Sequence, residues 1–458
     1  MNNTELETNN GQIGAAFSDA GRLSLSRRNF LRATGALGVT AAVTPLLQSC
    51  TSSSASSGSK SVHYTMWALS DTVVMQKYFT DKYRTTVDKN FNVSITEVPS
   101  GSSHRAKIIT SASSGRLPDI LDDSMNYGSD FATYNVFEPL TNKIPSDYGT
   151  KNNLYPRVWD WFNTKNIPGF QGDSYIFGSP YAISVYCPTY RLDLFQAANV
   201  EFPNTWDELV SAGQKLTKTP GRYALSVPTS GDLIDEFHPF LMQAGVKYVN
   251  NDLTEAFPNR DAAYAAFNFY NDLVNKYKIA PAHTPDRFAT DPAQRLTSGQ
   301  VTMTTLQTVS ISALSDAVGG RFGAGKEIFV NKFWAGPGGR GGYFNANGLH
   351  LRKGLKNPES AIGYMEWLLK PEQQTEVFTK FHRPPINTSV WPKFANDPQF
   401  KVYHDSLEFS QRQGGFRGWK LAEFPIDRAV ERIVLNGEPV KRVVDQCATD
   451  IISALQNA

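Results

Sequence analysis

The chain has 458 residues, and its 45 lysines and arginines nearly balance its 43 aspartates and glutamates, so the formal net charge is only +2 at pH 7. Nothing in this balance suggests a partner such as a nucleic acid or an anionic membrane surface. The length exceeds what one hydrophobic core usually carries, so two lobes are expected.

The N-terminal region has the pattern of an export signal. Two adjacent arginines, Arg27 and Arg28, precede a weakly apolar stretch from Ala33 to Leu47. A basic segment before a short apolar one is typical of a secretory signal, and the arginine pair is similar to the twin-arginine export address. The stretch is shorter than the roughly 20 apolar residues of a membrane-spanning helix. Residues 1–49 are therefore predicted to be a signal peptide.

The signal ends in a motif for lipid attachment. The segment Leu47 to Cys50 resembles a bacterial lipobox, in which the cysteine is acylated and becomes the new N-terminus, although Gln48 is larger than the residue usual there. Residues 50–60 continue as a Ser/Gly-rich stretch that cannot pack a core and is predicted to be a flexible tether. The protein is thus expected at the periplasm or cell surface, held to the membrane by the lipid on Cys50 alone. An ordinary cleaved signal with a stray cysteine is the alternative.

From Ser61 onward, strand patterns alternate with helix patterns. Strands are predicted at Val62 to Trp67, Asn92 to Val98 and Asp119 to Leu121, with a helix after each of the first two. This order predicts an α/β fold whose mostly parallel sheet is covered by helices on both faces. Ligands bind such sheets at the carboxyl ends of the strands, so the loops after the first and third strands are candidate binding loops.

The middle of the chain carries two helix starts. Thr205 and Glu208 form a capping box, in which Thr205 accepts from the amide of Glu208 while the Glu208 side chain reaches back to the amide of Thr205. Asn259 is predicted to cap a second helix over Ala262 to Tyr277, and its stripe of aromatic residues is interpreted as core.

The C-terminal half continues with strand and helix signals. A strand is predicted at Val301 to Leu306, a loop without regular structure at Gly336 to Gly342, and an extended segment at Tyr343 to Leu351. Asn357 and Pro358 then predict a helix with Asn as its cap and Pro at its first position.

Five motifs in this order resemble the extracellular solute-binding proteins of sugar ABC importers, the family that includes maltose-binding protein. In the third of them, the segment Ser298 to Met303, Leu296 and Thr302 replace two expected residues. The motifs are Gly115 to Ile120, the crossover Gly178 to Phe195 with Pro203 to Leu209, Ser298 to Met303, Asn357 to Gln374, and Leu435 to Val440.

The resemblance implies a type II periplasmic-binding-protein-like fold: two lobes, each a mostly parallel sheet flanked by helices, joined by hinge strands and closing on a ligand. Lobe 1 would comprise residues 61–184 plus 304–344, and lobe 2 residues 185–303 plus 345–458. It further implies a monomer that binds a carbohydrate, expected to be an oligosaccharide, and delivers it to the permease subunits of an ABC importer. No enzyme activity, cofactor or metal is expected.

A sugar presents apolar C–H faces and a belt of hydroxyls, so its binder needs aromatic rings beside carboxylates and amides. The segment from Tyr343 to Asn347 fits this need well, because amides among aromatic residues are costly in a plain core. For each candidate the alternative is structural, with the rings packing in a core and the acids capping helices. The candidate ligand-binding residues are Trp67, Asp71, Asp122, Asp123, Tyr181, Tyr343, Asn345, Asn347, Trp391 and Trp419.

Other functions stay open on the same residues. A polyamine, peptide or iron binder would use the same fold, and a surface glycan binder would need no permease. A lipid-anchored glycoside hydrolase would pair Asp122 with a second carboxylate, but the adjacent acids point to opposite faces of a strand. No G-x-S-x-G, H-E-x-x-H or P-loop motif is present.

Two cysteines remain beyond Cys50. Cys187 and Cys447 show no metal-binding spacing. They are expected to be buried unpaired thiols, with a long-range disulfide as the open alternative.

Overall fold

The computed structural model describes residues 62–99, 102–145, 147–231, 233–285, 291–308, 310–311, 314 and 328–456. The strands are β1 (Val62–Leu69), β2 (Phe91–Val98), β3 (Ile120–Ser124), β4 (Ser179–Arg191), β5 (Tyr223–Leu225), β6 (Val301–Gln307), β7 (Ile328–Val330), β8 (Ala335–Gly336), β9 (Gly339–Arg340), β10 (Gly342–Leu351) and β11 (Ser410–Gln411). The α-helices are α1 (Val73–Thr86), α2 (Ser102–Ser113), α3 (Met125–Ala132), α4 (Tyr148–Lys151), α5 (Pro156–Trp161), α6 (Leu192–Ala197), α7 (Trp206–Leu216), α8 (Ile234–Gln243), α9 (Arg260–Asn275), α10 (Pro292–Thr297), α11 (Glu359–Leu368), α12 (Pro371–Phe381), α13 (Pro398–Leu407), α14 (Trp419–Val434) and α15 (Val440–Gln456).

Nine of these strands form one mixed sheet in the order β2-β1-β3-β10-β4-β6-β5, with β11 beside β10 and β7 beside β4. Strand β1 pairs in parallel with both β2 and β3, which confirms the α/β pattern predicted for the start of the domain. Both strands run further than predicted, because β1 pairs with β2 along its whole length to Leu69 and β3 continues to Ser124. The carboxyl ends of these strands therefore lie two or three residues later in the chain than expected.

Strands β4 and β10 connect two hydrophobic cores. They pair antiparallel up to Val185 opposite Phe344, and beyond that point β4 pairs with β6, starting at Tyr186 opposite Gln307. Val185 and Phe344 belong to the first core, whereas Tyr186 and Tyr343 belong to the second. Two α/β lobes joined by crossing strands are thus the architecture of this chain, as predicted.

The helices near the C-terminus divide between the two cores. The first core takes buried residues of α11, α12 and α13, where Trp367 packs edge-on to Phe79 with ring centroids 6.1 Å apart and Tyr364 stacks on Phe91 at 5.2 Å. Helices α14 and α15 belong to the second core. The predicted boundaries gave all of residues 345–458 to lobe 2, but residues 361–407 pack in the core of the first lobe.

The capping box on α7 forms with one partner exchanged. Thr205 Oγ1 accepts from the Glu208 amide at 3.2 Å, as predicted, but Glu208 Oε2 accepts from the amide of Asn204 at 2.7 Å and not from that of Thr205. The carboxylate reaches one residue further back, and the helix still begins at Trp206.

Three other local predictions were wrong. Helix α9 begins at Arg260 without a side-chain cap from Asn259, whose Oδ1 accepts from the Lys247 amide instead. Asn357 adopts a left-handed φ of 55°, so α11 begins one residue later, with Pro358 in the capping position. The glycine-rich segment forms the short hairpin of β8 and β9 rather than an irregular loop.

Cys187 and Cys447 are buried free thiols, as the sequence predicted. Among the residues that the structure describes, no helix is both long and apolar enough to cross a membrane.

Candidate functional site

A cavity of about 470 Å³ lies where β4 and β10 pass from one core to the other. Its volume is in the range of small-molecule sites, about 300 to 1,000 Å³. The lining includes Asp71, Ser124, Asn126 and Tyr127 from the first lobe, Ser184, Tyr186, Tyr343, Asn345 and Asn347 from the crossing strands, and Asp235, Glu236, Gln413 and Lys420 from the second lobe. A ligand in this cavity touches both lobes.

Two stacked tyrosines form an aromatic wall of the cavity. The rings of Tyr186 and Tyr343 lie 4.4 Å apart at an angle of 28°. They meet because the register that places Val185 opposite Phe344 makes the next residues on β4 and β10 cross-strand neighbours. The Tyr343 hydroxyl accepts from Asn126 Nδ2 at 3.0 Å, which fixes its ring from the first lobe. Both rings belong to the second core, with Tyr186 4% and Tyr343 1% exposed, and they line the cavity at the point where the chain changes lobes.

A buried arginine holds the polar wall beside this stack. Arg383 is 1% exposed, and its Nη2 donates to the backbone oxygen and to Oδ2 of Asp71, both at 2.8 Å. Its Nη1 donates to Ser184 Oγ and to Asn347 Oδ1, both at 2.6 Å. One guanidinium thereby orders three lining residues that come from three separate chain segments.

A hydrogen-bonded chain crosses the cavity from lobe to lobe. Asn126 on α3 donates to Gln413 Oε1 at 3.0 Å, and Gln413 in turn donates to Asp235 on α8. The Tyr186 hydroxyl donates to the second oxygen of Asp235 at 3.4 Å. The polar groups of this wall are therefore held in place by contacts between the lobes.

Lys420 lies at the same side of the cavity, in the first turn of α14. Its Nζ donates to both oxygens of Glu423 at 2.7 and 2.9 Å and sits 4.3 Å from the ring centroid of Tyr127. A cation over a tyrosine face is an attractive arrangement. This contact joins α14 of the second lobe to α3 of the first.

Four of the ten predicted binding residues line the cavity: Asp71, Tyr343, Asn345 and Asn347. Asp71 follows β1, and the other three lie on β10, so the strand-end rule and the crossover segment both led to the site. Asn345 Oδ1 accepts from the backbone N–H of Ala346 at 2.9 Å. The orientation of the Asn345 side chain is therefore set by its own strand.

The two predicted acids on β3 lie inside the first lobe and not on the cavity surface. Asp122 and Asp123 are both fully buried on opposite faces of the strand. Asp122 accepts from the Tyr181 hydroxyl at 2.8 Å, and burial raises its pKa to about 7. Asp123 is held by His104 Nε2 at 2.8 Å and by the amide of Ser124 at 2.7 Å. Tyr181, the partner of Asp122, is buried with it and also lies outside the lining.

The three predicted tryptophans lie elsewhere too. Trp67 is still within β1, and its ring packs under Lys107 Nζ at 4.4 Å. Trp391 lies in a 3-10 helix, where its Nε1 donates to Pro385 O at 2.9 Å. Trp419 is the first residue of α14 rather than a loop residue, and it is only 1% exposed. Trp67 and Trp391 are partly buried against the first core, and Trp419 belongs to the second core.

Sequence reasoning missed several lining residues, and the reason differs between them. Ser124 is the last residue of β3, and Asn126 and Tyr127 come just after it, so a strand predicted to its full length would have pointed to these residues in place of the two acids. Asp235 and Gln413 carry no sequence signal, because only the fold brings α8 and the segment before α14 to this cavity.

Cys50, the predicted lipidation site, and residues 1–49 lie outside the described residues. Within the described ranges, no group of three His, Cys, Asp or Glu side chains is arranged to hold a metal ion.

A cavity enclosed by two α/β lobes, at the point where two strands cross between them, defines a two-lobe solute-binding protein of the periplasmic type. Residues 80–402 match the family model described as bacterial extracellular solute-binding protein. The match spans more than half of the chain, and the protein belongs to this family, whose members are binding proteins rather than enzymes. A comparison with curated protein sequences gives no significant match.

Several solved structures are similar to this fold. The GacH receptor of Streptomyces glaucescens, described in complex with acarbose, is 18% identical, with 86% of this chain and 98% of that chain covered and a TM-score of 0.72. An ABC transporter solute-binding protein from Thermotoga lettingae, bound with α-D-tagatose, is 20% identical over 87% and 100% of the two chains, with a TM-score of 0.74. The maltotriose-binding protein of Thermus thermophilus, bound with maltotriose, is 18% identical over 85% and 99%, with a TM-score of 0.70.

Proposed function

We propose that this protein captures a carbohydrate between its lobes and delivers it to the permease subunits of an ABC importer. One observation carries the proposal: the stacked rings of Tyr186 and Tyr343 lie in the same cavity as the side chains of Asp71, Asn345 and Asn347. The rings suit the C–H faces of a sugar, and the carboxylate and amides suit its hydroxyls. The acarbose, tagatose and maltotriose bound by proteins of the same fold support this ligand class.

Capture requires that the ligand favour the closed form. A ligand shifts an opening equilibrium only by its difference in affinity between the two states, so groups from both lobes must contact it. We place the division between the lobes at Val185/Tyr186 on β4 and at Tyr343/Phe344 on β10, with residues 361–407 in the first lobe. The lining from α3 and from α8 then lies on opposite sides of that division, as closure on a ligand demands.

The remaining part of the proposal concerns location. The arginine pair and the lipobox-like segment support export through the twin-arginine pathway and acylation of Cys50, and the Ser/Gly-rich residues 51–60 would tether a monomer to the membrane. The binding role is proposed without catalytic turnover of the sugar.

A polyamine is the competing ligand, because the lining contains the carboxylates of Asp71, Asp235, Glu236 and Asp291. The deciding experiment is isothermal calorimetry on the purified protein with maltotriose, D-tagatose, acarbose, spermidine, a tetrapeptide and ferric citrate. Stabilisation of the folded state by a ligand at a hundredfold excess over Kd is about 2.7 kcal/mol, so a thermal melt run in parallel detects any true ligand.

Saccharide binding with no change in the sugar after overnight incubation supports the proposed function. Binding of spermidine alone assigns the protein to polyamine capture, and release of smaller sugars from the incubated mixture makes it a hydrolase.

A further inference from the structure

The buried guanidinium of Arg383 constrains more than the positions of the residues it holds. A guanidinium carries five N–H donors and no acceptor. Each group that it contacts must therefore act as an acceptor toward it. This determines which donor and acceptor atoms of those groups are left to bind a ligand in the cavity. The three residues concerned are Asp71, Ser184 and Asn347, which all line the cavity.

At Asn347 the amide oxygen is bound to Arg383, so the Nδ2 group, a pure donor, is the part left for a ligand. At Ser184 the hydroxyl oxygen accepts from Arg383, so its hydrogen is available to donate. At Asp71, Oδ2 is bound to Arg383, while Oδ1 is buried and has no hydrogen-bond partner among the residues that the structure describes. A buried acceptor without a partner is costly, and a hydroxyl of a ligand would satisfy it.

We infer that Arg383 is a positioning residue that sets a fixed polarity at this wall: an acceptor at Asp71 Oδ1 beside donors at Asn347 Nδ2 and Ser184 Oγ. Such a wall selects a ligand whose neighbouring oxygens both donate and accept, which is the chemistry of a neutral polyhydroxylated solute. An ammonium group only donates, and it would leave the two donors of the wall without partners. This inference rests on the proposed capture of a saccharide and assigns its neutral hydroxyl groups to this wall.

The test exchanges the polarity without changing the charge. The double variant D71N/N347D keeps one carboxylate and one amide on Arg383, but the free carboxylate oxygen and the free amide nitrogen trade places. We expect its melting temperature without ligand to stay close to that of the wild type. We expect its affinity for the tightest-binding sugar among maltotriose, D-tagatose and acarbose to fall at least about tenfold, because a hydrogen bond involving a charged group is reversed. An unchanged sugar affinity in this variant overturns the inference.

A second variant tests the wall even if the double exchange impairs folding. S184A removes one small hydroxyl and leaves Arg383 with its contacts to Asp71 and Asn347. We expect the sugar affinity to fall about threefold to tenfold, the range for a neutral hydrogen bond, and an unaltered Kd contradicts the assigned donor. The wild-type control separates the two proposals: sugar binding with no effect of either variant rejects the polarity alone, whereas a wild type that binds spermidine and no sugar rejects the proposed function and the polarity together.

Discussion

The buried carboxyl of Asp122 makes the stability of the first lobe dependent on pH. Burial raises its pKa from 3.8 to about 7, so the folded state binds a proton that the unfolded state has lost between these two values. The free energy of unfolding should therefore fall as the pH rises from about 4 to about 7 and level off above that. The difference between these two pKa values corresponds to a change of about 4 kcal/mol in the free energy of unfolding.

The substitution D122N removes the titration and retains an oxygen that can accept from Tyr181. We expect the variant and the wild type to have similar stability near pH 4, and the variant to be more stable by up to about 4 kcal/mol at pH 8. Urea unfolding at five pH values between 4 and 8, followed by tryptophan fluorescence, gives the difference curve directly. Since Asp122 does not line the cavity, sugar affinity should not change.

A control with the opposite sign is available on the surface. Hydrogen bonds from Arg191 lower the pKa of Asp193, so its contribution to stability is lost as the pH falls. The difference curve of D193N should therefore slope in the opposite direction, and weakly, because this side chain is 42% exposed. Parallel stability curves for the wild type and D122N over the whole pH range would refute the account of a buried protonated acid.

Three further outcomes follow from the site, the signal and the sheet. Y186A should weaken sugar binding at least about tenfold by removing one ring of the stack, measured by calorimetry on folded protein; an unchanged Kd would show that the stack is not part of the binding surface. C50A should move the protein from the membrane fraction to the soluble exported fraction, and mass spectrometry of the wild type should show a diacylglyceryl group; equal membrane retention would argue against acylation. G348A should lower the free energy of unfolding, measured by urea titration, by about 1 to 3 kcal/mol, because a Cβ there would overlap the ring of Phe162. The control G221A should leave this free energy unchanged, because the nearest atom to a Cβ at that position lies 3.6 Å away.

Much of the fold was predictable because the hydrophobic periodicity and the turn residues are local. The strands β1, β2, β3 and β6 and the start of α7 follow from such patterns. What local patterns do not determine is where a strand stops, since β1 extends to Leu69 through pairing with β2. At β3 the same kind of error, three residues between the predicted end at Leu121 and the observed end at Ser124, moved the candidate residues from Asn126 and Tyr127 back to Asp122 and Asp123.

The rest of the site depends on contacts between distant segments. Arg383 reaches Asp71 across 312 positions of sequence, and Asn126 reaches Gln413 across 287. A buried arginine and a loop glutamine look unremarkable in sequence, because their roles come from the partners that folding supplies. The predicted tryptophans lie outside the cavity lining for the complementary reason: large aromatic rings pack against a core as readily as against a ligand. Here Trp419 is buried in the second core, and Trp67 and Trp391 pack partly buried against the first.

The strands that carry the aromatic wall are also the strands about which the lobes would turn. Tyr186 and Tyr343 occupy the positions at which β4 and β10 leave one core for the other, so any rotation of one lobe against the other twists the backbone beneath both rings. Under the proposed function, ligand recognition and lobe movement would therefore depend on the same few peptide units. A substitution at these positions that adapts the cavity to a new solute would also change the stiffness of the hinge. Ligand specificity and hinge mechanics would then have to evolve together.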